Sequence, residues 1–289
     1  MLDRLSINFA TKVCAVIGNP VGHSLSPAIH NAGYAALGLD YLYFPCQVED
    51  LPGMLTGMRA MHNFRGLSVT IPHKVAAMQH VDEVAATDQI IGSINTIIKQ
   101  DDGRLYGCGT DGPGALKALT DAGVELAGQT VLLVGCGGAA RAIAFTLARQ
   151  AGITELLLLD IDAQVLSSLA ADLEAHGGVP VRAWPMTAAS LAAAMAEADT
   201  IIHCTPVGMH PKVGQSLIPA ELFRAGQTVF DIVYNPLETR LLADARARGL
   251  KTVSGVDMFI NQAVLQFELF TGGPAPEQVM RRVVMEHLT

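Results

Sequence analysis

Short apolar runs alternate with longer stretches rich in alanine and leucine along most of the 289-residue chain. The runs have the length of buried strands, and the stretches between them have the length and apolar spacing of helices. Strands are predicted at 13–18, 41–48, 67–70, 94–98, 131–135, 156–160, 200–204 and 228–233. Helices are predicted at 139–150, 163–176, 191–198 and 239–248. Alternation of this kind indicates an α/β fold with parallel sheets.

The overall hydropathy agrees with buried parallel strands. Half of the residues are hydrophobic and the mean hydropathy is +0.35. No run approaches the ~18 consecutive apolar residues that a membrane span requires. The first residues include Asp3 and Arg4 and lack a long apolar core, so we expect no secretory signal peptide. Strands of a parallel sheet are covered on both faces, which accounts for the high hydropathy.

Charge and cysteine content exclude several classes of protein. The net charge of −8, without any basic run, argues against a nucleic-acid-binding surface. The five cysteines are scattered and form no C-x-x-C pair, so we expect neither a disulfide framework nor a zinc site. We expect no bound metal, no membrane partner and a cytoplasmic location. The length predicts two domains under the usual prior of about 150 residues each.

A glycine-rich turn follows the predicted strand 131–135. Gly135 permits a tight turn, Gly137 lets the backbone approach a pyrophosphate, and Ala140 allows close packing of the next helix. The N-terminus of that helix offers its positive end to phosphate. Glycine turns after strands are common, but the complete strand–turn–helix context favours dinucleotide binding over a plain structural turn.

Asp160 ends the following predicted strand, about 20 residues further on. A carboxylate at this position accepts hydrogen bonds from the ribose of NAD and repels the 2′-phosphate of NADP. No Arg or Lys appears at 161–173 to offset that repulsion, so we predict NAD as the preferred cofactor, with NADP as the alternative. A simpler interpretation is that Asp160 only caps the next helix.

Two N-terminal segments carry further candidate chemistry. Lys74 follows a predicted strand that Pro72 ends, because proline cannot donate to a sheet ladder. Such a lysine transfers protons if its pKa is tuned, although by itself it is more simply a solvated loop residue. Ser26 precedes Pro27 and is predicted to cap a helix there. That cap leaves Ser24 unexplained, and two hydroxyls at a helix N-terminus also suit a carboxylate.

Taken together, these segments resemble the shikimate dehydrogenase family essentially from end to end. The family's serine pair resembles Ser24 and Ser26, and its Asn-Val-Thr-x-Pro-x-Lys element resembles residues 68–74. Further family elements resemble Gly92-Ser-Ile-Asn95-Thr96, Gly109-Thr-Asp111-Gly112, Thr205-Pro-Val-Gly-Met209, Asp231-Ile-Val-Tyr234-Asn-Pro and Gly255-x-x-Met258-x-x-x-Gln262-Ala263. So many motifs in one order make chance agreement negligible.

The resemblance implies a split substrate domain at 1–113 and 254–289, and a Rossmann NAD(P)-binding domain at 114–253. It implies reversible hydride transfer between NAD(P) and the ring alcohol of shikimate, with Lys74 and Asp111 as the catalytic pair. Substrate contacts are implied at Ser24, Ser26, Ser68, Thr70, Asn95, Tyr234 and Gln262. Cofactor contacts are implied at Gly135, Gly137, Gly138, Ala139, Asp160, Thr205, Pro206, Val207, Met209, Val233, Gly255 and Met258. The expected partner is a small cyclic hydroxy acid, and the expected state is a monomer or homodimer.

Three positions depart from the family pattern. Ser68 stands where the family usually has Asn, and a hydroxyl offers one donor where an amide offers two. Gly109 replaces an Asn, and Asp160 replaces an arginine-containing NADP segment. These departures suggest a divergent paralogue, so a quinate/shikimate or aminoshikimate dehydrogenase is the alternative function. From a different class, a non-catalytic NAD-binding sensor is a further alternative, although the Lys74–Asp111 pair weighs against it.

Overall fold

The computed structural model describes residues 7–22 and 24–289, so the signal-peptide expectation, which rests on Asp3 and Arg4, lies outside it. In chain order, the strands are β1 (Lys12–Gly18), β2 (Tyr41–Gln47), β3 (Phe64–Val69), β4 (Glu83–Val84), β5 (Thr96–Lys99), β6 (Leu105–Cys108), β7 (Thr130–Val134), β8 (Glu155–Asp160), β9 (Val181–Pro185), β10 (Thr200–His203), β11 (Thr228–Asp231) and β12 (Lys251–Ser254). The helices are α1 (Ser26–Ala36), α2 (Leu51–Ala60), α3 (Ala86–Ile91), α4 (Asp111–Asp121), α5 (Gly138–Gln150), α6 (Ala163–His176), α7 (Ala188–Glu197), α8 (Arg240–Ala247), α9 (Gly255–Thr271) and α10 (Glu277–Leu288).

The chain forms two compact units. Unit 1 contains the described residues up to Thr110 together with Ala263–His287. Unit 2 contains Asp111–Gln262 and Leu288–Thr289. The domain bounds implied by the resemblance stay a prediction. Among the described residues, no helix combines the length and apolar character that crossing a lipid bilayer requires.

Unit 1 is built on a mixed six-stranded sheet in the order β2-β1-β3-β5-β6-β4. The first three strands in this order are parallel, whereas β5 runs antiparallel to β3 and to β6. The expectation of a parallel sheet is therefore wrong for β5. A tight turn joins β5 to β6, with Gly103 at φ +87°, and a connection this short only permits antiparallel pairing.

The core of unit 1 packs the inner strands against α2. Ile17, Leu67 and Ile97 are fully buried, and Leu55 and Met58 of α2 cover them. The three parallel strands end together at Gly18, Gln47 and Val69. The carboxyl edge of this sheet is therefore where loops can present functional side chains.

Unit 2 has the doubly wound arrangement that the sequence pattern predicts. All six strands are parallel, in the order β9-β8-β7-β10-β11-β12. The direction of strand succession reverses between β7 and β10, and in open α/β sheets ligands bind at the carboxyl ends beside such a reversal. Leu132, Leu157 and Ile201 are completely buried between the helices on the two faces. The Rossmann part of the fold prediction is confirmed.

Candidate active site

The glycine turn lies at the carboxyl end of β7. Gly135 has φ +96°, and a Cβ atom there would lie 2.7 Å from the methyl group of Thr205 and 3.0 Å from the carbonyl oxygen of Cys204. Only glycine meets both conditions without strain. The turn thereby brings two predicted cofactor-binding segments, at Gly135 and Thr205, into contact.

The N-terminus of α5 leaves its backbone amides open. Its cap is Gly137, and no described side chain caps it, whereas Asp162, Thr187 and Thr239 cap α6, α7 and α8. A Cβ atom built on Gly137 or Gly138 would meet no described atom within 4 Å. Uncapped amide groups and the positive end of the helix suit a pyrophosphate.

The residues after this turn fit a helix that approaches the sheet closely. In the first turn of α5, Ala139 is partly buried and Ala140 is completely buried. Burial raises the pKa of the Cys136 thiol to about 12, with a smaller contribution from the charge of Asp160. Cys136 therefore stays protonated and has no nucleophilic role at neutral pH.

Asp160 is partly buried and binds the glycine turn. Its carboxylate accepts hydrogen bonds from the backbone N–H of Cys136, at 2.6 Å, and of Asp162, at 2.8 Å. The interpretation of Asp160 as a helix cap is wrong, because the Asp162 side chain caps α6. On the neighbouring helix, Arg141 forms an ion pair with Asp172.

The segment from Thr205 to Met209 is anchored by a buried polar chain. The Thr205 hydroxyl lies 2.5 Å from Nε2 of His203, and Nδ1 of His203 lies 2.9 Å from the Asp231 carboxylate. That carboxylate also accepts hydrogen bonds from the Thr239 hydroxyl and the Val233 N–H. His203 was not predicted, although a polar residue ending the apolar strand β10 is a signal that could have found it.

The other predicted cofactor positions belong to the same segment or to the first turn of α9. The N–H of Val207 donates to the Thr205 hydroxyl, while Pro206 and Met209 are exposed. A Cβ atom on Gly255 would lie 2.4 Å from the Ile232 carbonyl oxygen, so only glycine allows α9 to begin there. Met258 is buried one turn further along α9.

Three predicted substrate or catalytic residues also belong to unit 2. Asp111 is the first residue of α4 and is partly buried. The ring of Tyr234 stacks on Phe259 with 4.7 Å between centroids, and burial raises the pKa of its phenol. Gln262 is buried and donates to the Phe259 carbonyl oxygen. A buried polar side chain on an apolar helix needs a hydrogen-bond partner, and the Phe259 carbonyl oxygen on the same helix is one such partner for Gln262.

In unit 1, Lys74 lies just beyond the carboxyl end of β3. The neighbouring His73 is buried, and its Nε2 atom donates to the Val48 carbonyl oxygen at 2.7 Å. The Lys74 carbonyl oxygen accepts from the Ile94 N–H at 3.0 Å. These bonds hold the backbone of Lys74, and its side chain is partly buried.

The serine pair starts α1 in a way the cap prediction did not anticipate. Ser26 is the first residue of α1, its cap position is Leu25, and no described side chain caps this helix. The prediction of Ser26 as the capping residue is therefore wrong. The hydroxyl of Ser24 instead accepts from the Ser26 N–H at 3.3 Å.

The remaining substrate positions of unit 1 lie along the carboxyl edge. Thr70 follows β3 and its methyl group packs closely on Gly18, where a Cβ atom would lie 2.4 Å away. Ser68 and Asn95 are buried and belong to one hydrogen-bonded chain with Tyr43 and Gln266. Neither Tyr43 nor Gln266 was predicted. Gln266 carries the signal that singled out Gln262, a polar side chain on an apolar helix.

Comparisons with known proteins find relatives over nearly the whole length of this chain. Residues 16–97 match the model of the shikimate dehydrogenase substrate binding domain, and residues 255–285 match that of the shikimate 5′-dehydrogenase C-terminal domain. The shikimate dehydrogenase (NADP(+)) of Moorella thermoacetica is 41% identical over 98% of this chain and 95% of its own length.

Two solved structures have the same fold. The shikimate 5-dehydrogenase of Listeria monocytogenes, in complex with shikimate and NAD, has a TM-score of 0.91 at 32% identity and covers 96% of this chain and 98% of its own. The quinate dehydrogenase of Corynebacterium glutamicum, in complex with NAD, has a TM-score of 0.89 at 29% identity and covers 96% of this chain and 99% of its own.

Proposed function

Because the chain belongs to the shikimate dehydrogenase family, we propose that it interconverts a ring alcohol of shikimate and the matching ketone with a nicotinamide dinucleotide. The observation that carries this proposal is the position of Lys74 at the carboxyl edge of the unit 1 sheet, where His73 and Ile94 fix its backbone. Relatives that align with nearly the whole of this chain are named for that activity.

In this proposal, Lys74 transfers the proton of the substrate hydroxyl and Asp111 orients Lys74. When bound, the dinucleotide accepts the hydride from the carbinol carbon or returns it to the ketone. The hydroxyl proton leaves to Lys74, and in the reverse direction Lys74 donates it to the forming alkoxide. A carboxylate beside a lysine orients the ammonium group, and this is the role assigned to Asp111.

The other polar side chains of unit 1 bind the ring acid without reacting. Ser24 and Ser26, at the start of α1, hold the carboxylate, supported by the positive end of the helix. Ser68, Thr70 and Asn95 form hydrogen bonds with the ring hydroxyls. Tyr234 and Gln262 complete the set of substrate contacts.

The cofactor is NAD, with NADP as a weaker alternative. Asp160 ends β8 beside the glycine turn, and Asp162 adds a second carboxylate two residues later. The cation on the adjoining helix, Arg141, is paired with Asp172. A 2′-phosphate would therefore face two carboxylates. The relatives differ in cofactor: the Moorella enzyme is named for NADP, and the Listeria structure holds NAD.

One set of assays tests the proposal. The purified protein is mixed with NAD or NADP and with shikimate, quinate or aminoshikimate. The formation of reduced cofactor is then measured by its absorbance. We expect the fastest reduction with shikimate and NAD. Faster turnover of quinate or aminoshikimate would identify a divergent specificity, to which the departure at Ser68 points. Tight NAD binding without turnover of any ring acid would identify a sensor, and a strong preference for NADP would reject the role of Asp160.

A further inference from the structure

A continuous chain of hydrogen bonds links the substrate-facing end of β3 to α9 inside unit 1. The Tyr43 hydroxyl lies 2.6 Å from Oγ of Ser68, which lies 2.6 Å from Oε1 of Gln266. Nε2 of Gln266 lies 2.9 Å from the Thr96 hydroxyl and 3.1 Å from the Asn95 carbonyl oxygen. Ser68 is 6% exposed, and Tyr43, Gln266 and Thr96 are 2% exposed or less.

The direction of each hydrogen bond follows from one backbone group. The Asn95 carbonyl oxygen only accepts, so the amide nitrogen of Gln266 must face it. The amide oxygen of Gln266 then faces Ser68 and requires a donor. Ser68 has a single hydroxyl hydrogen, which is directed to Gln266, and Tyr43 must in turn donate to Ser68. Any other arrangement leaves two acceptors in contact at 2.6 Å.

Tyr43 is held in the donor role. Burial raises the pKa of its phenol, against smaller opposing contributions from the Ser68 and Ser26 hydroxyls, so the phenol stays protonated. Its ring stacks on His30, with 4.4 Å between centroids and planes 5° apart. The ring can neither ionise at neutral pH nor swing away without breaking this stack.

We propose that Gln266 and Tyr43 position Ser68 so that it meets the substrate only as a hydrogen-bond acceptor. A serine hydroxyl accepts two hydrogen bonds, and Tyr43 supplies one of them. The remaining lone pair selects ring acids that present a donor, a hydroxyl or a protonated amine, at this position. The asparagine usual in the family would offer an amide donor as well. This selectivity rests on the proposed function, in which a cyclic hydroxy acid binds at the carboxyl edge of unit 1.

Fluorinated substrates test the selectivity. Each non-reacting ring hydroxyl of shikimate is replaced in turn by fluorine, which accepts weakly and cannot donate. For the position that faces Ser68, we expect kcat/KM of the native enzyme to fall by about tenfold or more, the scale of a buried group left unpaired. In Gln266→Met, the Ser68 hydrogen is released and that penalty shrinks at least threefold, with the change mainly in KM. In Tyr43→Phe, Ser68 still donates to Gln266 and the penalty persists.

The paired variants separate positioning from general damage to the core. A loss of packing would change the fluorine penalty alike in Gln266→Met and Tyr43→Phe, and that result would overturn the inference. Ser68→Ala, which removes only one oxygen, serves if Gln266→Met does not fold, and it is expected to abolish the penalty. An unchanged penalty in Ser68→Ala would also overturn it.

A neutron structure of the unliganded, deuterium-exchanged enzyme tests the same assignment without catalysis. We expect deuterium on the line from Ser68 to Gln266 and on the line from Tyr43 to Ser68. Deuterium directed from Ser68 to Tyr43 would overturn the inference even if shikimate is turned over. Absence of turnover with every ring acid would reject the proposed function and the selectivity with it, while the hydrogen positions remain decided by the neutron map.

Discussion

Unit 1 and unit 2 present their polar groups in opposite ways. Unit 2 offers backbone amides at the uncapped start of α5, framed by glycines within a few residues of one another. Unit 1 offers side chains that converge from β2, β3, the segment before β5, and α9. A backbone site depends on local chain geometry, whereas a side-chain site depends on packing between distant segments. The two halves should therefore respond to different kinds of mutation.

The largest difference between the two units is expected from Lys74→Ala. Loss of a general acid–base should lower kcat by at least ~10²-fold, because the substrate proton then lacks its acceptor. The affinity for NAD should stay unchanged, since Lys74 belongs to unit 1. Steady-state kinetics and NAD titration measure the two effects. Lys117→Ala, which removes an exposed lysine paired with Asp121, is the control. Near-normal turnover in Lys74→Ala would remove this residue from the mechanism.

Gly135→Ala tests the backbone character of unit 2. The positive φ and the 2.7 Å approach to Thr205 should together cost about 3 kcal/mol in the free energy of unfolding. Gly138→Ala is the matched control, because its new methyl group meets no described atom within 4 Å. The control should keep its stability and weaken NAD binding. Denaturant unfolding and NAD titration distinguish them, and equal stabilities would contradict the strain at Gly135.

His30 gives unit 1 its own sensitivity to acid. Burial lowers the pKa of His30 to about 3, and neither ring nitrogen has a hydrogen-bond partner among the described residues. The pKa in the folded state lies below the unfolded value of about 6.5, so protons bind preferentially to the unfolded chain. The resulting loss of stability begins as the pH falls through about 6.5 and grows until the pH passes the folded pKa.

His30→Phe should therefore be more acid-resistant than the native protein. The ring stack with Tyr43 is retained, while the titrating group is removed. We expect a relative gain of about 2 kcal/mol at pH 5 compared with pH 8, from the shift in pKa. Urea unfolding at the two pH values measures it. His62→Phe, at an exposed position, is the control, and the same gain there would show that burial is not the cause.

The smallest expected effect concerns cofactor choice. Asp160→Ser should shift the ratio of kcat/KM for NAD and NADP by about tenfold towards NADP, because a repelling carboxylate is replaced by a neutral hydroxyl. Asp162→Ser is the comparison variant and should give a smaller shift, since serine is also a good helix cap and the bond from Asp160 to the glycine turn remains. A shift of the same size in both variants would mean that general charge, and not the position of Asp160, sets the preference.

Elements with a regular apolar pattern can be predicted from this sequence, whereas elements that lack one are missed. The predicted helix 163–176 matches α6 residue for residue, because its regular apolar spacing marks it. Strand β9 was missed because Arg182 and Pro185 interrupt its apolar pattern. At this strand, Arg182 is neutralised by Glu155 and Glu197, an arrangement that no single window of sequence reveals.

The sequence by itself determined the family, the doubly wound unit and the candidate chemistry of Lys74, Asp111 and Asp160. Those signals lie within short segments, because glycine turns and strand ends impose local steric rules. Only the tertiary structure decided that Ser68 is bonded between Tyr43 and Gln266, residues 25 and 198 positions away. Hydrogen-bond direction depends on which groups meet after folding, and the order of residues along the chain does not contain it.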